Sequence, residues 1–376
     1  MTRIAFYISG HGLGHAMRIK ELLIRIRARH PAAELYVMGS MPGWVFEEPP
    51  SVQVRLRPLR CDVGAIQRDS LHLDVRRTLE ENAGFYRGID ALARGEARFL
   101  RREGVGLVVG DIPPLAFLAA SAAGVRSVAV GNFSWDWIYD SYAEEHPSSR
   151  YLVDLVREAY GHADLLLRLP FHGDMGAFHR IRDIPLIART ARLSRAETRR
   201  ALGISPEETR KVVFISMGGH CSAEIRAGGS ADFGDYLYIS YFRPGTGMKR
   251  LILLEDRTGL SHPDIVAASD CVISKPGYCT IAECIANGTP LVYTSRDNFR
   301  EYPVMVAGIE TYCLSRLLPR KDFHAGAWAK HLDAFFAEKR IAPPPHMPSD
   351  GAEVAAKIIL GMAGGERPCA REGTWA

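Results

Sequence analysis

The feature that most constrains the fold is an alternation of short apolar runs with longer helical patterns. In the first half of the chain the apolar runs lie at Ile4 to Ser9, Leu35 to Gly39, Leu107 to Gly110 and Ser127 to Val130, and Ala16 to Arg29 is one of the helical patterns between them. Buried runs of this length joined through helices are typical of parallel strands with crossover helices. The sequence therefore predicts an α/β protein built on parallel sheets.

The alternation pauses near residue 186 and then begins again. Ser194 and Glu197 form the pattern of a capping box, and three prolines at 343–345 separate a last helix, over about 352–362, from the rest. We therefore expect two Rossmann-like, doubly wound domains over residues 1–185 and 186–345. A C-terminal helix and tail over 346–376 is expected to pack on the first of them.

The composition leaves room for two cores and excludes several classes. The chain has 376 residues, 47% of them hydrophobic, and a formal net charge of +4. The basic residues are spread along the chain, which does not favour a nucleic-acid partner. No stretch approaches 18 uncharged apolar residues, so we expect no integral membrane segment, while peripheral membrane contact stays open. The seven cysteines lack CxxC spacing, and no signal segment is evident, which predicts a cytoplasmic protein.

Ligands of open parallel sheets bind beyond the carboxyl ends of the strands, so the loops there are the candidate sites. The first loop, Ser9 to His15, has the spacing G-x-G-x-G, which differs from the dinucleotide fingerprint and argues against NAD or FAD. A histidine at a helix start lies in a positive potential that favours a neutral imidazole able to accept a proton. A tight turn with capping histidines, or a metal site at His11 and His15, remain alternatives.

A second candidate is Asp111, which directly follows the apolar run from Leu107 to Gly110. An aspartate in this position can orient and charge-stabilise a histidine on the loop of a neighbouring strand. It can equally be the N-cap of a helix that begins at Pro114. The sequence leaves both readings open.

Two loops of the second half offer anion-binding backbone. One carries Lys275 and Gly277 before a predicted helix, whose free N–H groups attract anions. The other carries Gly218 and Gly219 directly after an apolar run, and glycine turns on adjacent strands suit a diphosphate.

The same region allows a purely structural reading. Thr280 and Glu283 fit the capping box T-x-x-E, which would tie both side chains to the start of their own helix. The sequence does not choose between this reading and a role in ligand binding.

Five short blocks, spread over nearly the whole chain, carry a family resemblance. They are Gly10 to Gly12, Asp62 to Asp69, Asn132 to Asp136, Ala268 to Cys271 and Gly351 to Ala356. They are most similar to the N-terminal, glycosyltransferase-like region of plant L-arabinokinases. More broadly, Ile8 to Arg18 combined with Ala268 to Pro290 resembles the GT-B superfamily of glycosyltransferases, which includes plant small-molecule UDP-glycosyltransferases. No sugar-kinase domain follows, so kinase activity is not expected.

The resemblance implies a GT-B fold whose two domains face each other across a cleft. It implies that His15 is the catalytic base and that Asp111 is its partner, with Glu283 holding the ribose of the donor. The full set implied to bind the donor is Gly12, Gly14, Gly218, Gly219, Lys275, Gly277, Tyr278, Thr280, Glu283, Arg296, Asp297 and Glu301. The set expected on the acceptor side is His11, Asp62, Gln67, Trp135 and Asp136.

The function expected from these features is sugar transfer from a nucleoside diphosphate sugar to a hydroxyl or amine group of a small acceptor. We expect the nucleotide of the donor to be UDP. We expect inversion, because a single in-line attack inverts the anomeric carbon. We also expect no metal, since no DxD tripeptide occurs, and no cofactor beyond the nucleotide sugar. A nucleotide-sugar hydrolase or 2-epimerase of the same fold and a non-catalytic sugar-nucleotide sensor are the alternatives. Trp135, Trp137 and Tyr139 are expected to form either a stacking platform for the acceptor or a loop anchored in the core.

Overall fold

A computed structural model of the chain describes all residues except 1, 48, 50–51, 70, 219–230, 245–247, 255–258, 297–298, 339–342 and 367–376. The chain divides into two compact units. The first comprises Met1–Ile66, Asp74–Ile187 and Ser349–Ala376, and the second comprises Gln67–Leu73 and Ala188–Pro348. Each unit contains one parallel sheet with helices, so the predicted α/β class with two Rossmann-like domains is confirmed.

The strands are β1 (Arg3–Ile8), β2 (Glu34–Gly39), β3 (Arg55–Pro58), β4 (Leu107–Asp111), β5 (Arg126–Gly131), β6 (Leu165–Arg168), β7 (Ile181–Asp183), β8 (Val212–Ile215), β9 (Leu237–Ser240), β10 (Leu251–Leu253), β11 (Cys271–Ser274), β12 (Leu291–Tyr293) and β13 (Ser315–Leu317). The α-helices are α1 (Leu13–Arg29), α2 (Val75–Tyr86), α3 (Ile89–Arg102), α4 (Pro114–Ala123), α5 (Trp135–Glu145), α6 (Arg150–Gly161), α7 (Arg195–Ala201), α8 (His262–Ala268), α9 (Tyr278–Ala286), α10 (Tyr302–Tyr312), α11 (Arg320–Ala325), α12 (Ala329–Ala337) and α13 (Gly351–Ala363).

The first unit has a seven-stranded sheet in the order β3-β2-β1-β4-β5-β6-β7. Strands β1 and β4 pair in parallel register, with Ile4 beside Leu107 and Ile8 beside Asp111. The order runs one way from β1 to β3 and the other way from β4 to β7. The junction of β1 and β4 is therefore the topological switch point, where the loops diverge and leave a crevice for ligands.

The last helix returns to the first unit. The backbone N–H of Gly351 donates to the carbonyl of Leu186 at 2.9 Å, and α13 then packs on α1. Gly351 is required at this approach, because a Cβ atom there would overlap the carbonyl oxygen of Pro185. An ion pair between Arg29 and Glu353 also joins α1 and α13.

The second unit has a six-stranded sheet in the order β10-β9-β8-β11-β12-β13. Its switch point lies between β8 and β11, which pair with Ile215 beside Ile273. The core of this unit includes Leu71, from the segment Gln67–Leu73, which is fully buried among residues such as Phe233 and Trp328. A short piece of the first half of the chain is therefore part of the second core.

Local signals account for several boundaries. The predicted capping box of Ser194 and Glu197 is formed at the start of α7. The strands at the sheet centres are nearly continuous apolar runs, as expected where helices cover both faces. Among the described helices, none is long and apolar enough to cross a membrane.

Candidate functional site

The switch point of the first unit brings together a histidine, an aspartate and an arginine. Nδ1 of His15 lies 2.8 Å from Oδ1 of Asp111, and both side chains are buried. Arg18 donates from Nε to Oδ2 of Asp111 at 2.9 Å and from Nη2 to Oδ1 at 2.6 Å. Because His15 and Arg18 are three residues apart on α1, they share the helix face that meets the end of β4.

The structure rules out the N-cap reading of Asp111. The N-cap of α4 is Pro113, which has no side-chain cap. The residue after Asp111, Ile112, has a φ of +57°, a left-handed conformation that β-branched residues rarely adopt and that costs on the order of 1–3 kcal/mol. The hydroxyl of Tyr160 donates to the carbonyl of Ile112 at 2.8 Å and helps hold this turn.

The charge state of Asp111 determines the tautomer of His15. Burial by itself raises the pKa of the carboxyl, but the Arg18 charge and the interactions with His15 outweigh burial and lower it. An ionised carboxylate only accepts hydrogen bonds, so Nδ1 of His15 must donate to Asp111. Nε2 then keeps its lone pair and can accept a proton. Nη2 of Arg18 is also 3.2 Å from Nδ1, but a nitrogen that carries hydrogen cannot accept that contact as a hydrogen bond.

Sequence reasoning missed Arg18. Its guanidinium satisfies both oxygens of Asp111 and also donates from Nη1 to Oδ1 of Asn132 at 3.0 Å. The available signal was the spacing His-x-x-Arg on a helix that follows the glycine loop. That spacing places both side chains on one face, where a carboxylate at the end of an adjacent strand reaches them.

His11 has a different environment from His15. Its Nδ1 accepts a hydrogen bond from the backbone N–H of Ala65 at 3.3 Å, and its ring meets Trp135 edge-on at 5.2 Å between centroids. In the neutral form the proton of His11 is therefore on Nε2, which leaves no lone pair for base chemistry. Among the described residues, no group of three or more His, Cys, Asp or Glu side chains is placed to hold a metal ion.

Asp62 links the glycine loop to Trp135 through two hydrogen bonds. Oδ1 of Asp62 accepts from the backbone N–H of Gly10 at 3.1 Å, and Oδ2 accepts from Nε1 of Trp135 at 3.0 Å. Burial raises the pKa of Asp62, and these hydrogen bonds offset only part of the increase. Gly12 has a φ of +88°, and no atom of the described residues lies within 4 Å of the position that a Cβ would take there, so the backbone is open to a ligand on that side.

Two of the three aromatic residues predicted as an acceptor platform belong to the core, and the third, Trp137, is half-buried. Trp135 and Tyr139 are each 1% exposed and stack on one another, with centroids 5.6 Å apart. A stacking platform for an acceptor does not fit this packing, and the alternative of a core-anchored loop does. Asp136 is also buried, 3.5 Å from Nε of Arg157, and burial raises its pKa. Gln67 belongs to the second unit.

The switch point of the second unit brings its two loops together. Oγ of Ser274, at the end of β11, donates to the carbonyl of Ser216, directly after β8, at 2.5 Å. Gly218 has a φ of +79°, and the atoms nearest its Cβ direction are Cε and Nζ of Lys275, at 3.7 and 3.8 Å. The structure therefore places Gly218 beside Lys275, whereas the predicted Gly219 lies outside the described residues.

The predicted T-x-x-E capping box is not formed. Helix α9 begins at Tyr278 with Gly277 as its N-cap, so Thr280 lies inside the first turn and does not cap it. Tyr278 is 9% exposed, and its position at the helix start follows the turn at Gly277.

Glu283 instead joins a buried charged network. It is 1% exposed; Oε1 accepts from Nε of Arg189 at 2.6 Å, and Oε2 lies 2.5 Å from Nδ1 of His262. Burial raises the pKa of Glu283, but the Arg189 and His262 interactions outweigh burial and lower it. Nε2 of His262 lies 2.7 Å from Oγ of Ser216, so the network reaches the glycine loop after β8. The sequence indicated neither Arg189 nor His262, because nothing local links them to Glu283.

Three of the remaining predicted donor residues, Arg296, Asp297 and Glu301, follow β12, the neighbour of β11. The guanidinium of Arg296 lies over the ring of Phe299, 3.2 Å from its centroid, and Glu301 is the N-cap of α10. Asp297 lies outside the described residues. Gly14 is the second residue of α1, so its N–H is among those at the helix start.

The chain is similar in sequence to one known enzyme and in structure to several others. No protein-family model matches the chain. The chain is 34% identical over 376 residues to the L-arabinokinase of Arabidopsis thaliana, a match that covers 98% of this chain and 35% of the arabinokinase. The chain thus spans about a third of the length of that relative.

Several solved structures superpose on nearly the whole chain. Arabidopsis thaliana UGT89C1 complexed with quercetin superposes with a TM-score of 0.61 at 14% identity, covering 95% of this chain and 94% of that one. The spinosyn forosaminyltransferase SpnP gives 0.58 at 13% identity, covering 96% and 99%. MurG of Acinetobacter baumannii gives 0.51 at 8% identity, covering 96% and 100%.

At such low identities the solved structures establish only the fold. The sequence match to L-arabinokinase shows in addition that the two proteins are related over nearly the whole length of this chain. The resemblance expected from the sequence blocks is confirmed by both. The chain has the GT-B fold of glycosyltransferases and is related over nearly its whole length to L-arabinokinase.

Proposed function

We propose that the chain is a metal-independent, inverting glycosyltransferase that moves a sugar from a UDP-sugar to a hydroxyl or amine of a small acceptor. The observation that carries the proposal is the buried pair of His15 and Asp111, neutralised by Arg18, at a switch point. This arrangement prepares Nε2 of His15 to accept a proton. The GT-B fold supports the nucleotide-sugar class, since UGT89C1 has been solved with UDP and with UDP-L-rhamnose.

In the proposed reaction, Nε2 of His15 takes a proton from the acceptor hydroxyl while the oxygen attacks the anomeric carbon of the donor. Asp111 stabilises the imidazolium that forms, because it already accepts from Nδ1. Arg18 keeps Asp111 ionised and oriented, so it acts through Asp111 as a positioning residue. A single in-line attack inverts the anomeric carbon.

The donor side of the proposal lies in the second unit. As the glycosidic bond breaks, negative charge grows on the leaving diphosphate, which N–H groups at a helix start and nearby cations stabilise. Gly218, Lys275 and Gly277 are the residues proposed for this task, and the first two are adjacent. Lys275 supplies the positive charge that a metal ion would otherwise contribute.

Glu283 requires a revised assignment within this proposal. Both of its oxygens already have partners, Arg189 and His262. A carboxylate has about four lone-pair sites, so lone pairs remain for a ribose hydroxyl, although the ribose has to approach a side chain that is 1% exposed in this structure. The proposal therefore keeps Glu283 at the donor but gives it the second task of holding His262.

The test is a panel of nucleotide sugars, with and without acceptors, read by mass spectrometry. Product that forms only with an acceptor supports transfer. Free sugar without an acceptor identifies a hydrolase that uses the same pair with water, and tight binding without turnover identifies a sensor. A chelator arm is included: turnover is expected to survive EDTA, and full loss restored by a divalent cation would reject the metal-independent mechanism.

A further inference from the structure

His262 belongs to the donor-side network, but the proposed function gives it no task of its own. It is the first residue of α8 and lies between Glu283 and Ser216, with Nδ1 and Nε2 at 2.5 and 2.7 Å from their oxygens. Ser216 precedes Gly218 on the loop proposed to bind the diphosphate. If Nε2 of His262 gains a hydrogen, its hydrogen bond with Ser216 on that loop must therefore change direction.

The charge state of Glu283 fixes which nitrogen of His262 donates to it. Interactions with Arg189 and His262 hold the pKa of Glu283 below its ordinary value despite burial, so the carboxylate is ionised and only accepts. Nδ1 of His262 must donate to it. In a neutral imidazole Nε2 then carries a lone pair and accepts the Ser216 hydroxyl hydrogen. The hydroxyl offers only lone pairs to a ligand, which repel a phosphate oxygen.

Protonation of His262 reverses this arrangement. Nε2 then donates to Oγ of Ser216, and the hydroxyl hydrogen becomes free to donate to an anion. Among the described residues, the imidazole contacts the carboxylate of Glu283, which Arg189 also contacts, and stacks on the ring of Tyr241 at 6.5 Å between centroids. Asp264 lies two residues further along the same helix. Asp264 is already used by Ser261 and by the N–H groups of 192 and 193, so Glu283 is the carboxylate that compensates the imidazolium.

We propose that binding of a nucleoside diphosphate group at the Ser216 loop takes up one proton on His262, which turns the Ser216 hydroxyl into a donor to the phosphate. The inference rests on the proposed function, because it needs the diphosphate at this loop. The proton comes from solvent and stays on Nε2 of His262. His262 is thus a positioning residue that makes donor affinity depend on pH.

The experiment is calorimetric titration of the wild-type protein with a UDP-sugar from the panel, UDP-glucose first, in buffers of different ionisation enthalpy. A diphosphate diester has no phosphate group that titrates near neutral pH, so uptake reports on the protein. We expect uptake on the order of one proton per molecule bound, and affinity that falls as pH rises, up to about tenfold per pH unit. His262→Gln, whose amide does not titrate, and Ser216→Ala should both abolish the uptake and flatten the pH profile.

The matched control is His331→Gln. His331 also pairs with a carboxylate in the second unit, Asp322 at 2.7 Å, but has no link to Ser216, so uptake should be unchanged in this variant. Wild-type binding without proton uptake, or full uptake in His262→Gln, overturns the inference and leaves the proposed function standing. If no UDP-sugar of the panel binds, the proposed function fails and the inference fails with it. If His262→Gln does not fold, the wild-type pH profile and Ser216→Ala decide.

Discussion

The two switch points use the same three kinds of side chain in different ways. In the first unit Asp111 holds His15 and Arg18; in the second, Glu283 holds His262 and Arg189. Both carboxylates are buried, and in both the arginine and histidine interactions lower the pKa against the effect of burial. In both, the histidine must therefore donate through Nδ1.

What differs is the other nitrogen of each histidine. Nε2 of His262 meets the hydroxyl of Ser216, whereas Nε2 of His15 has no hydrogen-bond partner among the residues that the structure describes. The comparison teaches that the buried carboxylate and arginine only orient an imidazole. In the proposed mechanism the group facing Nε2 decides between base chemistry and positioning, and four experiments test this proposal.

The largest effect is expected for His15→Ala. Removing the base should lower turnover by roughly 10²- to 10⁴-fold while donor binding stays nearly unchanged, since the donor residues are proposed in the second unit. The measurement is kcat beside the Kd of the donor. The control is His11→Ala, whose Nδ1 is occupied by Ala65 and which should keep most of its turnover. Collapse in His11→Ala with near-normal His15→Ala would transfer the role to His11.

The second effect is on stability. Arg18→Met leaves the carboxylate of Asp111 buried without its cation, and breaking such a pair is expected to lower the free energy of unfolding by about 3–5 kcal/mol. Denaturant unfolding measures it. Arg76→Met removes an arginine whose ion pair with Glu80 is exposed to solvent, and should leave the free energy of unfolding nearly unchanged. Equal losses in both variants would remove the distinction between them.

A smaller effect is expected for Glu283→Gln. The neutral amide loses the charge-assisted hydrogen bond that is proposed to the ribose of the donor, so the free energy of donor binding should weaken by about 1–3 kcal/mol. Calorimetry measures the dissociation constant of the donor. The control is Asp111→Asn, which makes the same kind of change at the buried carboxylate of the first unit. Asp111→Asn should lower turnover and leave donor affinity nearly unchanged. Lower thermal stability with unchanged donor affinity in Glu283→Gln would assign Glu283 a purely structural role.

The smallest effect concerns acid. Asp111 and Glu283 both have folded-state pKa values below their ordinary values of 3.8 and 4.5, so each stabilises the fold above those values. That contribution is lost as pH falls through the folded pKa, by at most about 1.4 kcal/mol per pH unit for each carboxylate. Unfolding measured from pH 5 to 2.5 should show a shallower slope in Asp111→Asn and in Glu283→Gln than in the wild type. An unchanged slope in both would show that neither carboxylate contributes.

The local parts of the candidate site were predictable. The apolar runs of β1, β4, β8 and β11 mark the central strands, and the glycine loop places His15 at the start of α1. Strand β3, which reads Arg-Leu-Arg-Pro, was not predicted, because its exposed residues lack an apolar pattern. The same limit applies to Leu71, whose burial in the second core depends on where the chain passes.

The sequence by itself determined the α/β class, indicated the GT-B fold through its resemblance to a known family, and made His15 and Asp111 candidates for a functional pair. The class follows from apolar periodicity and the resemblance from short motifs, which are properties of neighbouring residues. The tertiary structure alone decided which partners meet. Arg18 reaches Asp111 across 93 residues and Arg189 reaches Glu283 across 94. Strand order places their elements side by side, and that order depends on packing between distant segments, which no local pattern records.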